Sequence, residues 1–170
     1  TPVEPDAINI VLDPGLAFGT GSHPTTRLCL RWLDENLRGG ESVLDYGCGS
    51  GILAIAAMKL GAGSAYGVDV DTQAVQSSRD NALANQVEAR FDLPDANLPQ
   101  YDIVVANILT NPLKVLAPLL AGTTRQGWQI VLSGILSEQA ADVMQSYAQW
   151  FNLQPAVMED GWARLSGVKK

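Results

Sequence analysis

The fold is decided by Val43-Leu44-Asp45-Tyr46-Gly47-Cys48-Gly49-Ser50-Gly51, where an apolar strand runs into three alternate glycines. Residues without a Cβ tolerate unusual φ values and let another group approach the main chain. The run that follows, Ile52 to Leu60, is apolar nearly all round and predicts a helix packed against a sheet. This stretch therefore predicts a strand, a sharp turn and a buried helix.

Asp69 lies at the end of a second predicted strand, Ala65 to Val70. Open α/β sheets bind ligands at the carboxyl ends of their strands. A carboxylate at that place can accept hydrogen bonds from both hydroxyls of a ribose. The separation between Gly51 and Asp69 is close to the roughly 20 residues expected between a glycine turn and a ribose-binding acid. The spacing therefore predicts a nucleoside site.

The glycine pattern favours S-adenosylmethionine over a dinucleotide. In the dinucleotide fingerprint G-x-G-x-x-G the third glycine allows close packing and approach of the pyrophosphate, but here Ile52 occupies that place. The form D-x-G-x-G-x-G suits a ligand without phosphates whose methionine part carries a carboxylate and an ammonium. A nicotinamide-dependent oxidoreductase stays the competing enzyme class, and a module that binds cofactor without turnover is the alternative outside enzymes.

Composition narrows the classes of protein further. The chain has 170 residues, 46% of them hydrophobic, and a formal charge of −7, as expected for one acidic globular domain. Without clustered cations, extended nucleic acid is an unfavourable partner. The sequence shows no apolar run of membrane-spanning length, only two cysteines and one histidine. We expect a monomeric cytoplasmic protein with no bound metal, no direct nucleic-acid contact and no membrane contact.

Helix and strand patterns alternate along the chain until its last segment. There, Leu153 to Glu159 and Trp162 to Val168 are separated by Asp160-Gly161, which is typical of a two-residue type I′ hairpin turn. Pro118 is expected to kink or split the helix that begins near Asn111. We predict a single α/β domain over residues 1–170, with a seven-stranded, mostly parallel sheet, a C-terminal antiparallel hairpin and helices on both faces.

Three segments resemble the PrmA family, the bacterial methyltransferases of ribosomal protein L11: Asp13 to Thr26, Asp45 to Leu53, and Val105 to Leu109. The resemblance implies the class I S-adenosylmethionine-dependent methyltransferase fold. It also implies methyl transfer to lysine side-chain and N-terminal amines of that large-subunit ribosomal protein. It covers the family's catalytic domain, and we expect the family's N-terminal recognition domain to lie outside this sequence.

Position by position, the resemblance implies cofactor contacts at Thr26, Gly47, Asp69 and Asn107, with Gly49 of the same loop included. Thr26 follows a predicted helix start capped by Ser22 or His23, where main-chain NH groups favour a carboxylate. Phe18 is interpreted either as a cover for the cofactor or as an anchor of the N-terminal segment. For Asp45, a structural and a binding role are equally open.

Asn107 is the predicted catalytic residue. It occupies the place where many amino-group methyltransferases begin an Asp/Asn-Pro-Pro-aromatic motif, whose first side chain accepts hydrogen bonds from the substrate nitrogen. Here Ile108-Leu109-Thr110 follows, without either proline. The departure argues against a nucleobase or glutamine-amide nitrogen clamped on an aromatic ring. The family resemblance implies a flexible amine, such as a lysine side chain or an α-amino terminus.

Overall fold

The structure is a computed structural model that describes residues 23–95 and 97–170. The first segment of the family resemblance as far as Ser22, including Phe18, lies outside the described residues. The helices are α1 (Pro24–Asn36), α2 (Ile52–Lys59), α3 (Thr72–Ala84), α4 (Thr110–Val115), α5 (Ala117–Thr123) and α6 (Ala140–Tyr147). The strands are β1 (Ser42–Tyr46), β2 (Ser64–Val68), β3 (Arg90–Asp92), β4 (Tyr101–Asn107), β5 (Thr124–Leu136), β6 (Phe151–Leu153), β7 (Val157–Glu159) and β8 (Trp162–Lys169).

The strands form one sheet in the order β3-β2-β1-β4-β5-β8-β6, with β7 also paired to β8. Strands β1 to β5 pair in parallel, whereas β8 is antiparallel to β5, β6 and β7. The chain winds outward in one direction from β1 to β3 and in the other from β4 to β5. A crevice therefore opens between β1 and β4 at their carboxyl ends, where such sheets bind ligands.

The predicted seven-stranded, mostly parallel sheet is confirmed, with one refinement at its edge. The segment predicted as one strand from Leu153 to Glu159 is two short strands, β6 and β7, on the same side of β8. Pro155 lies between them, and proline has no NH to donate to a neighbouring strand. The predicted turn is confirmed, because Asp160 and Gly161 have φ values of 51° and 82°.

Helices cover both faces of the sheet, and β1 and β4 supply side chains to each face. Helices α1, α2 and α3 pack on a cluster that contains Val43 and Val105. Helices α4, α5 and α6 pack on the opposite cluster, which contains Leu44 and Val104. Every residue of β4 is buried, as expected for a central parallel strand.

Two helix boundaries follow from single residues. His23 precedes α1 and its Nδ1 accepts a hydrogen bond from Thr25 N at 3.3 Å, so the predicted cap by His23 is confirmed. The split near Pro118 is also confirmed, because α4 ends before Leu116 and α5 carries this proline in its first turn. No helix within residues 23–95 and 97–170 is both long and apolar enough to cross a membrane.

Candidate functional site

A cavity of about 780 Å³ opens at the carboxyl ends of β1, β2 and β4. This volume lies within the range of small-molecule sites. One part of its lining comes from the glycine turn and the polar residues after β2, and another part is an apolar wall from the loop after β4 and from α4. The described residues that line it include Gly47, Gly49, Ser50, Asp69, Asp71, Asn107, Ile108, Leu109, Pro112 and Leu116.

The three glycines of the turn have positive φ values but different surroundings. Their φ values are 78° at Gly47, 56° at Gly49 and 82° at Gly51. A Cβ on Gly49 would meet nothing within 4 Å, whereas one on Gly51 would press on Ser78 and Phe91. A Cβ on Gly47 would overlap with Ile108 Cγ2. Gly49 thus leaves open space in the cavity, while Gly47 makes room for a neighbouring side chain of the protein.

Asp69 lies directly after β2 and is fixed by two main-chain donors. Gly49 N donates to its Oδ2 at 2.9 Å, and Asp71 N donates to its Oδ1 at 3.0 Å. An ionised carboxylate has about four lone-pair sites, so each oxygen can accept a further hydrogen bond. Asp69 is therefore held at the cavity, and its carboxylate can still accept hydrogen bonds from a ligand.

Asn107, the last residue of β4, carries a buried acceptor that the protein leaves unpaired. The residue is 9% exposed, its Nδ2 donates to Thr26 Oγ1 at 3.5 Å, and its Oδ1 has no partner. Leaving a buried acceptor without a hydrogen bond costs about 1–3 kcal/mol. Because Asn107 also lines the cavity, this oxygen is placed to accept a hydrogen bond from a ligand.

Thr26 lies beneath Asn107 in the first turn of α1. It is fully buried and is absent from the described residues that line the large cavity. Its described contact is the hydrogen bond with Asn107. The structure therefore brings together Gly47, Gly49, Asp69 and Asn107 around the cavity. Thr26 is buried behind Asn107, away from the cavity lining. The cofactor contact assigned to Thr26 stays a prediction.

Asp45 is a buried acid under the glycine turn, 2% exposed, beside a second cavity of about 20 Å³ that Asn107 also lines. Burial raises the pKa of its carboxyl to about 7; a hydrogen bond from Ala54 N lowers the pKa, and the charge of Asp69 raises it. A cavity of that volume holds about one water molecule. Asp45 therefore supports the turn and the start of α2 as a partly protonated acid at neutral pH.

Sequence analysis did not identify the residues of α3 that hold the glycine turn. Ser78 Oγ donates to Gly49 O at 2.9 Å, and Asn81 Nδ2 donates to Ser50 O at 2.9 Å. Both side chains are buried. The signal available in the sequence was two polar residues three positions apart on the face of α3 that also carries apolar residues, since buried polar groups are normally hydrogen-bonded.

A comparison with protein families gives one match to the chain. The family model described as ribosomal protein L11 methyltransferase (PrmA) matches residues 1–170. A ribosomal protein L11 methyltransferase of Neisseria gonorrhoeae is 68% identical over 166 residues, which are 96% of this chain and 56% of that protein. Another, from Thiobacillus denitrificans, is 67% identical over 165 residues, with the same coverage of both chains. The chain thus spans about half the length of these curated relatives.

Solved structures show the same architecture. The crystal structure of a ribosomal protein L11 methylase from Lactobacillus delbrueckii subsp. bulgaricus superposes with a TM-score of 0.90 at 32% identity, over 100% of this chain and 88% of that one. A magnesium protoporphyrin IX methyltransferase from Synechocystis, crystallised with bound SAM, gives a TM-score of 0.71 at 23% identity, over 85% of this chain and 77% of that one. The second likeness concerns the fold alone.

Proposed function

Because the chain belongs to the PrmA family of ribosomal protein L11 methyltransferases, we propose that it transfers methyl groups from S-adenosylmethionine to amines of ribosomal protein L11. The observation that carries the proposal is the buried, unpaired Oδ1 of Asn107, which lies beside the cavity at the carboxyl end of β4. Lysine side-chain amines and the N-terminal amine are the proposed acceptors. Since the substrate is a ribosomal protein, the bacterial cytoplasm is the proposed place of action.

The cavity has the groups that this cofactor needs. The carboxylate of Asp69 has lone pairs free for the hydroxyls of a ribose, and Gly49 leaves room for a ligand next to the main chain. Gly47, Asn107 and Asp69 share one lining. We propose that Gly47, Gly49, Asp69 and Asn107 hold the cofactor. Bound S-adenosylmethionine supplies a methyl group that the positive sulfonium makes electrophilic.

Asn107 has the proposed catalytic role of orienting the amine. Its Oδ1 would accept an N–H of the neutral amine, so that the lone pair of the nitrogen is left free for attack. A lysine amine in water has a pKa of about 10.4 and loses its proton before it can act as nucleophile. The apolar wall of Ile108, Leu109 and Pro112 disfavours the charged amine by desolvation and excludes water. Alignment and desolvation are therefore the main contributions of the protein.

The loop after Asn107 supports a flexible amine as the acceptor. Ile108 and Leu109 stand where two prolines precede the aromatic residue in other amino-group methyltransferases. Thr110 stands in the place of the aromatic residue, and its side chain offers no flat surface against which a planar nitrogen could stack. A tetrahedral amine on a flexible stem needs only an acceptor and an apolar passage.

We propose that residues 1–170 form one catalytic domain and that substrate recognition involves the part of the relatives that this chain does not span. The central test incubates ribosomal protein L11 with this chain and S-adenosylmethionine and records the mass of the product. Increments of whole methyl groups are expected. Methylation of free nucleic acid alone would overturn the substrate assignment.

Binding is tested separately from turnover. S-adenosylhomocysteine, the product that S-adenosylmethionine leaves after methyl transfer, is the ligand for titration calorimetry. It is expected to bind the parent and to bind Asp69→Asn more weakly. Asp102→Asn, at the opposite end of the strands, is the matched control. Binding of NAD in place of S-adenosylhomocysteine would favour the oxidoreductase. Cofactor binding without methylation, restored by the N-terminal part of a relative, would identify a catalytic domain that needs its recognition domain.

A further inference from the structure

Gly134 lies in the middle of β5 and departs from regular strand geometry. Its φ is +87°, and the pairing of β5 with β8 shifts register between Leu132 and Ile135. Such bulges bend a strand and often occur next to active sites. The half of β5 around Gly134 is buried, so a positive φ at this position needs a separate explanation.

The explanation lies in the loop after Asn107. A Cβ on Gly134 would overlap with Ile108 O and would lie 2.7 Å from Ile108 C and 3.0 Å from Ile108 N. Ile108 N donates to Ser133 O at 3.1 Å. The residue that follows the Asn107 acceptor therefore rests directly on the backbone of β5. This close approach requires a residue without a side chain at position 134.

The other side of Ile108 touches the glycine turn. Its Cγ2 lies against Gly47, where a Cβ would overlap with it. Ile108 thus contacts both the backbone of β5 and the glycine turn that lines the cavity. Asn107 immediately precedes it, so any shift of Ile108 moves the unpaired Oδ1 of Asn107.

We propose that Gly134 and Ile108 are positioning residues for methyl transfer, which set the depth of the Asn107 acceptor in the cavity. The inference rests on the proposed function, since it assigns a task within the same reaction. Gly134 acts by leaving room for the Ile108 backbone. Ile108 acts by joining the amine side of the cavity to the glycine turn.

Gly134→Ala tests the proposal, and β5 itself offers the matched control. Gly127 has a φ of +82°, close to that of Gly134, but a Cβ there would meet nothing within 4 Å. Gly127→Ala therefore introduces backbone strain without displacing Ile108. The two variants differ in their effect on the Asn107 loop and share the cost of placing a Cβ at positive φ.

The expected result is a separation of kcat from cofactor binding. Gly134→Ala should lower kcat for methylation of ribosomal protein L11 by about 10²-fold, because small displacements of catalytic groups have costs of that order. The Kd for S-adenosylhomocysteine should change little, and Gly127→Ala should leave both quantities near their parent values. Equal kcat values for the two alanine variants would overturn the positioning role of Gly134.

A binding cycle covers the case in which Gly134→Ala does not fold. Gly47→Ala should weaken binding of S-adenosylhomocysteine, and adding Ile108→Ala, which removes Cγ2, should recover part of the loss. A recovery on the order of tenfold is expected if the two residues are coupled through direct contact. Strictly additive effects would overturn the Ile108 contact. Since this cycle measures binding, it stays informative if this chain does not methylate ribosomal protein L11, an outcome that bears on the proposed function and its missing recognition domain and not on the Ile108 contact.

Discussion

The amino and carboxyl ends of the central strands β1 and β4 both carry buried polar side chains, but the protein uses them differently. At the amino end, Glu41 accepts hydrogen bonds from Arg38 N at 2.7 Å and from Gly39 N at 2.8 Å. Asp102 accepts from Ser42 N at 3.0 Å and pairs with Arg125. Each oxygen of these two carboxylates therefore has a partner within the protein.

At the carboxyl end, the polar groups keep unused capacity. Asn107 Oδ1 is buried without a partner, and burial, with a smaller contribution from the charge of Asp69, raises the pKa of Asp45. A buried polar group without a hydrogen-bond partner lowers the stability of the folded protein. Such a group is therefore expected at a site where a ligand supplies the missing hydrogen bond. The contrast between the ends thus separates groups that hold the sheet together from groups that are available to a ligand.

The strongest test of this contrast is the pH dependence of Asp45. Its pKa is about 7 in the folded protein, against an ordinary value of 3.8. The folded state therefore binds this proton more tightly than the unfolded chain. The contribution of Asp45 to the free energy of unfolding is greatest below about pH 4 and is lost as the pH rises to about 7. Asp45→Asn should be more stable than the parent at pH 8, by at most about 4 kcal/mol, and similar to it at pH 4. Urea unfolding at both pH values measures this, and a pH-independent difference would contradict it.

The next largest effect is expected for Asn107→Ala, on activity. Loss of the acceptor should lower kcat by about 10²-fold, or about 3 kcal/mol in activation free energy. The variant loses the long hydrogen bond from Nδ2 to Thr26 but also removes the unpaired Oδ1, so the free energy of unfolding should change by less than about 1 kcal/mol. A variant that unfolds easily but retains kcat would reverse the interpretation of this end of the sheet.

Asp102→Ala is expected to behave in the opposite way. It removes the acceptor of Ser42 N and the partner of Arg125, so the free energy of unfolding should fall by about 2 kcal/mol. The Kd for S-adenosylhomocysteine should equal that of the parent, because Asp102 lies at the far end of β4. Denaturant unfolding and calorimetry on the same sample check both, and weakened cofactor binding would remove the contrast.

The smallest effect is expected for Glu41→Gln. Burial raises the pKa of the Glu41 carboxyl, but hydrogen bonds from the amides of Arg38 and Gly39 outweigh it and hold the pKa below its usual value. The stabilisation is therefore present above the unfolded pKa and is lost as the pH falls through the folded pKa. The variant should be about 1 kcal/mol less stable than the parent at pH 7, with the deficit shrinking in acid. A deficit that grows as the pH falls would mean that folding raises the pKa of Glu41, as it raises the pKa of Asp45.

Much of the fold could be predicted from local patterns. Alternate glycines after an apolar strand, Pro118 inside a helical pattern and Asp160-Gly161 between two strands act over a few residues, so their consequences can be read without tertiary context. The location of Asp69 after β2 and of Asn107 at the end of β4, the two strands that flank β1, follows from the α/β order. The prediction of one unbroken strand from Leu153 to Glu159 was wrong, because Pro155 has no N–H to donate to β8 and so interrupts the pairing.

The rest depends on contacts between residues distant in sequence. Ile108 rests on Gly134, where β5 shifts register against β8, and no local pattern of the sequence encodes this contact. Asp45 and Glu41 lie four residues apart in sequence, yet their opposite pKa shifts arise from what packs around each carboxyl. Thr26 is hydrogen-bonded to Asn107, and its contact with the cofactor stays a prediction.

The interruption at Pro155 has a consequence for how molecules of this protein meet one another. Among the residues that the structure describes, each border of the sheet is made of strands of three residues: β3 on one side, and β6 and β7 on the other. Long unpaired borders recruit strands from other chains and lead to aggregation. Short borders, one of them broken by a residue that cannot donate, present too little continuous backbone for that. The short borders therefore disfavour edge-to-edge aggregation of this protein.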